Sequence, residues 1–114
     1  MKLQIEGQSL RVRIGEAELA QLLAGGTVES RTRFAQAFAM ACALRLGDDD
    51  DARLSGRADA WLVELPGAAV REHAARLPTR EGLTFNLATG HHDDTLQLLF
   101  DVDVRDSVRR RHPS

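Results

Sequence analysis

Tyrosine is absent from this chain of 114 residues, and cysteine, tryptophan and lysine each occur once. A lone cysteine, Cys42, cannot form an internal disulfide, so the fold must rest on a packed core and a reducing compartment is expected. No apolar run approaches the roughly 18 residues of a membrane-spanning helix. The first residues alternate polar and apolar rather than forming a signal-peptide core, so a cytoplasmic protein away from the membrane is expected. A net charge of −2 excludes a global electrostatic pull toward nucleic acid or an anionic membrane. Lys2 is the one lysine among fifteen basic residues. With alanine also abundant, that bias fits a GC-rich genome and makes arginine the generic surface cation here.

What remains is ordinary for a globular protein: 43% apolar and 28% charged residues. The length suits one domain able to bury a core unaided. We place that domain at residues 1–104 and a basic, flexible tail at 105–114.

The most informative pattern is a faint internal echo. Leu10, Val12 and Ile14 alternate with Arg11 and Arg13, and a short helical stretch follows. Fifty-one positions on, Trp61, Val63 and Leu65 alternate with Leu62 and Glu64, again before a helix. The same offset relates Ala17 to Ala68, Leu19 to Val70, Ala24 to Ala75 and Phe34 to Phe85. Duplication or a merely shared order of elements would both produce it.

Local signals set the elements. Leu3 and Ile5 mark a strand, Gly7-Gln8 suits a hairpin turn, and Ser9 to Ile14 returns. Glu16 and Glu18 open a helix whose stripe is Leu19, Leu22 and Leu23, capped by Gly25-Gly26. Val28 to Phe34 reads as a strand. Ala35 to Leu46 has helical propensity, yet Phe38, Met40, Cys42, Leu44 and Leu46 recur with period two. Alanines fill the gaps, as in a strand covered on both faces, so we assign a strand. Asp48 to Asp51 form a turn, and residues 52–57 and 59–65 form a hairpin around Gly56. Pro66 starts a second helix near residues 67–76 that buries Val70 and Ala74, and Pro78 closes it. Leu83, Phe85 and Leu87 mark a strand, and Thr95 to Val104 alternate most clearly of all. The fold class is therefore α+β: about eight strands in the order ββα-ββ-ββα-ββ, mostly antiparallel, with two short helices. A pseudo-twofold sandwich and a partly closed barrel both fit.

The opening run from Met1 to Arg13, with its Lys, Ile, Gly, Ser and Arg pattern, resembles a group of small bacterial proteins with no assigned activity. The likeness extends thinly through Val28-Glu29, Thr32, Phe34 and Leu65-Pro66. It implies mixed strands with two helices, in agreement with a strand over 35–46. It carries over no catalytic residue, cofactor or partner. Members often end with a cysteine after the last strand, where this chain has Asp101 to Val104 and an arginine-rich tail.

Candidate sites are sparse. His91, His92, Asp93 and Asp94 are the densest set of metal-ligand types, but adjacent loop residues rarely converge on one ion, and a polar turn is the simpler reading. Asp48 to Asp51 lack the glycine and terminal glutamate of a calcium loop. Arg11, Arg13, Arg31 and Arg33 would form an anion-binding stripe if their strands were neighbours; the simpler reading is a charged face paired with Gln4, Glu6 and Glu29. No exposed aromatic is expected to accompany them, so nucleic acid is not the expected partner. Cys42 reads as a core residue, and His73 as a helix surface or boundary residue beside Glu72. Asp101 and Asp103 share a strand face and could pair for acid–base work, though a polar edge is commoner. Leu62 and Leu99 interrupt polar strand faces and are the candidate interface residues. The reading ranked first is a non-enzymatic protein-interaction or self-association module without cofactor, with a protein partner or a homodimer. An anion or nucleic-acid binder acting through the arginine stripe ranks second, and a metal-binding protein or metal-dependent hydrolase third.

Overall fold

The computed structural model describes residues 1–87 and 95–104. Eight strands and two helices follow in order: β1 (Lys2–Glu6), β2 (Ser9–Gly15), α1 (Glu16–Leu23), β3 (Val28–Phe34), β4 (Phe38–Gly47), β5 (Arg53–Arg57), β6 (Ala60–Pro66), α2 (Gly67–Ala75), β7 (Leu83–Leu87) and β8 (Leu96–Asp103). The α+β class and the element order agree with the sequence pattern. Residues 35–37 form a turn rather than the start of β4, and Ala35 adopts a φ of 53° there.

The strands form two four-stranded sheets, β1-β2-β8-β7 and β3-β4-β6-β5, and no closed barrel forms among the described residues. Pairing is mostly antiparallel, but the central pair of each sheet is parallel: β2 with β8 and β4 with β6. Each sheet thus joins a hairpin from one half of the chain to a hairpin from the other. Exchanging β1, β2, β3 and β4 with β5, β6, β7 and β8 converts one sheet order into the other, so the topology is a pseudo-twofold. The equivalence holds at an offset of 51 through β2, α1, β6 and α2. Beyond the helices it changes, because Val28 pairs with Leu44 as Leu83 pairs with Phe100. Phe85 therefore corresponds to Ser30, not to Phe34 as the sequence echo suggested.

Alternation explains the core. Leu10, Val12 and Ile14 of β2, Leu98, Phe100 and Val102 of β8, Cys42 and Leu44 of β4, and Val63 and Leu65 of β6 are all buried in one cluster. Burying each such large aliphatic or aromatic side chain contributes about 1.5–3 kcal/mol. Leu19 and Leu22 of α1 and Val70 of α2 join the same cluster.

Helix α1 starts where the Glu18 carboxylate accepts the Gly15 N–H at 3.1 Å and ends at Gly25, whose φ is 89°. The Met1 ammonium donates to both Glu18 oxygens at 2.9 Å. The turn between β5 and β6 lies at residues 58–59 rather than around Gly56. Gly56 sits within β5 at a φ of 102°, where a Cβ would be driven into the Ala60 carbonyl oxygen.

Candidate functional site

Strand register decides which candidate residues meet. Arg11 and Arg13 project from β2, while Arg31 and Arg33 project from β3 in the other sheet. Their strands are not neighbours, so the four-arginine stripe does not form. The carboxylate partner of Arg11 and Arg13 is Asp101 rather than Glu6, and the uncharged Gln4 lies opposite Arg11 in the β1–β2 ladder. Both arginines bracket Asp101, with Nε 3.3 Å from its carboxylate in each case. Asp101 is therefore occupied by neutralising Arg11 and Arg13 on the outer face of the first sheet. Leu99 lies beside Arg11 and Thr84 on that same face.

Arg31 and Arg33 instead belong to a larger set. The ladder of the second sheet aligns Arg31 with Ala41, Ala60 and Arg57, and Glu29 with Ala43, Leu62 and Ser55. Arg45, Glu64 and Arg53 form the next row, and Arg33 lies opposite Ala39. The outer face of this sheet thus has a floor of Ala39, Ala41, Ala43, Ala60 and Leu62, with arginines along both edge strands. Three of the arginines, Arg45, Arg53 and Arg57, escaped the sequence reading, although the Arg-Ser-Arg alternation at 53–57 was visible there. The ion pairs are peripheral: Arg31 to Glu29 at 3.9 Å, Arg53 to Asp49 at 2.9 Å and Arg57 to Asp59 at 3.6 Å. The Arg31–Glu29 pair lies along β3, and Arg45 pairs across the sheet, its Nη2 lying 3.1 Å from Glu64.

The β3–β4 hairpin also outruns its sheet. Pairing between β4 and β6 begins at Ala41 opposite Ala60, leaving residues 32–40 as a two-stranded arm. One face of the arm carries Thr32, Phe34, Phe38 and Met40, and the opposite face carries Arg33 and Ala39. Phe34 and Phe38 are 43% and 66% exposed, with ring centroids 4.9 Å apart. The sequence pattern leads one to expect no exposed aromatic; alternation cannot show that the sheet stops short of these two.

Other candidates fall out differently. Cys42 is fully buried, and burial pushes its thiol pKa up, so it is an inert core residue. His73 is only 4% exposed, not a surface residue: the short helix turns it inward, its ring edge-on to Phe100 at 6.5 Å. It opens on a cleft of about 240 Å³ with Arg76, Thr79 and Glu81. Burial lowers its pKa, Arg76 repels its proton further, and Asp101 partly opposes both. Burial works to raise the Glu18 pKa, but the Met1 ammonium and the Gly15 N–H outweigh it and the net shift is downward. Asp48, Asp49 and Asp50 line a cleft of about 440 Å³ at the start of α2, beside Arg71. His91, His92, Asp93 and Asp94 lie outside the described residues, as does the tail from 105. Among the described residues, no three His, Cys, Asp or Glu side chains are grouped to hold a metal ion. No described helix is long and apolar enough to cross a membrane.

The arrangement defines a two-sheet α+β protein whose most distinctive surfaces are an apolar arm and an arginine-rimmed sheet face. The chain belongs to a family of unknown function (DUF7009), which matches residues 1–106. No curated protein and no solved structure matches it.

Proposed function

We propose that this protein is a non-enzymatic interaction module of the bacterial cytoplasm that associates reversibly with a second copy of itself through the β3–β4 arm. The observation carrying this reading is the overhang of residues 32–40 with Phe34 and Phe38 exposed on one face. An uncharged face can meet its own copy across a twofold axis without burying like charges. The arm satisfies that condition, because Arg31 and Arg33 alternate onto the opposite face. Its area is small against the roughly 1,200 Å² or more of a standard interface, so the association is weak and concentration-dependent. The bacterial setting is supported by the resemblance of the N-terminal run to bacterial proteins. The cytoplasmic setting is supported by a single, buried cysteine.

Sedimentation velocity over a range of concentrations tests the reading. The wild type is expected to shift from monomer toward dimer as concentration rises, and the Phe34→Ser/Phe38→Ser variant to remain monomeric with an unchanged melting temperature. A wild type that stays monomeric throughout, or a variant that dimerises equally well, overturns it.

A further inference from the structure

The two sheets provide an internal control for each other. Equivalent positions on their outer faces are related by the pseudo-twofold, so differences between them reflect something other than the fold. On the first sheet those positions hold Ser9, Arg11, Gln97 and Leu99, flanked by Lys2, Gln4, Glu6 and Asn86. That is a solvated face of mixed charge. On the second sheet the same positions hold Ala60, Leu62, Ala41 and Ala43, flanked by Arg53, Ser55, Arg57 and Arg31. The polar floor has become apolar, and the flanks hold three arginines with Ser55, while Glu29 stands where the first sheet has Thr84. The central ion pair survives with its signs reversed, Arg13–Asp101 in one sheet and Glu64–Arg45 in the other.

A second observation concerns β4 itself. Its sequence has the continuous apolar character of a strand covered on both faces. Among the described residues only one of those faces is covered. Cys42 and Leu44 enter the core, while both helices bury their stripes in that same core. Ala39 is exposed, and Ala41 and Ala43 are partly so.

We infer that the outer face of the second sheet docks an acidic amphipathic α-helix of a partner protein. The geometry suits one. The edge strands β3 and β5 lie three strand spacings apart, about 14 Å. A helix with its side chains is about 10–12 Å across and fits between the arginine rows. Alanines and Leu62 form a flat floor for its apolar stripe, and carboxylates on its flanks meet Arg31 and Arg33 on one side and Arg53 and Arg57 on the other. Nucleic acid suits the face less well. No aromatic projects from it to stack on bases. This surface is distinct from the apolar side of the arm, and the two can act independently.

Chemical-shift mapping on ¹⁵N-labelled protein tests the inference. The probe is a synthetic helix of about 18 residues with an Ala/Leu stripe flanked by glutamates. Its control carries lysine in place of glutamate, and a single-stranded and a duplex oligonucleotide are titrated in parallel. The expected result is shifts confined to residues 29–33, 39–45, 53–57 and 60–64, seen with the acidic helix alone and weakened by added salt. Arg33→Glu/Arg57→Glu should weaken binding by about tenfold or more. Arg11→Glu, on the control face, and Phe34→Ser/Phe38→Ser, on the arm, should leave it unchanged. The inference is overturned by no shifts up to about 1 mM probe, or by shifts spread equally over both sheets. Tighter binding of an oligonucleotide than of the acidic helix overturns it too, and assigns the face to nucleic acid.

Discussion

His73 is the one buried polar or charged side chain among the described residues, and it makes stability sensitive to mild acid. Its pKa in the fold lies below the unfolded value of about 6.5, because burial and the Arg76 charge both disfavour the imidazolium, against a smaller attraction from Asp101. The unfolded chain therefore binds more protons than the folded one just below that value. The stability contributed by neutral His73 is complete above it and is lost as the pH falls through the lowered pKa. Urea unfolding should show stability declining from about pH 7 to pH 5, with a shallower decline in His73→Gln. A decline of the same slope in both proteins would assign the effect to other groups. Glu18 also has a lowered pKa, but its contribution is lost only in the more acidic carboxylate range.

Among the elements, β4 and β6 place Arg45 opposite Glu64 at 3.1 Å, both partly open to solvent. A double-mutant cycle with Arg45→Ala and Glu64→Ala should give a coupling of about 0.5–1 kcal/mol, reduced by salt. Coupling near zero would mean that solvent already screens the pair. Period-two alternation made every strand legible, including β4, whose composition alone favours helix. It also placed the start of β4 three residues too early, because Ala35 to Ala37 continue the alternation while the backbone turns. The inward position of His73 was not legible. In a nine-residue helix that buries only Gly67, Val70 and His73, an alanine-rich sequence leaves the direction of the stripe undetermined. The arginine face was half legible: alternation put Arg31 and Arg33 on one face of β3, but whether β2 lay beside that strand was open in the sequence, and the two strands belong to different sheets. Hairpin turns report which consecutive strands pair. They carry no information on β2 meeting β8 or β4 meeting β6, which join the two halves of the chain.

Those two parallel pairs decide how the whole molecule holds together. Residues 1–47 supply β1 and β2 to one sheet and β3 and β4 to the other, and the second half does the same in reverse. Neither half closes a sheet alone: β2 would lose β8, and β4 would lose β6. Each loss exposes the edge of a central strand together with apolar side chains such as Val12, Leu44, Val63 and Phe100. A hairpin pair with one helix and no opposing strands has too little core to outweigh its conformational entropy. The chain should therefore unfold in one cooperative step, and fragments 1–49 and 50–114 should each be unfolded in isolation. Mixed in equal amounts, they should recover the circular dichroism spectrum and the cooperative melt of the intact chain, because the turn at Asp48 to Asp51 is exposed and the core needs both partners. A cooperative melt from either fragment alone would show that its own strands suffice for a core, and the two halves would then be independent units joined side by side.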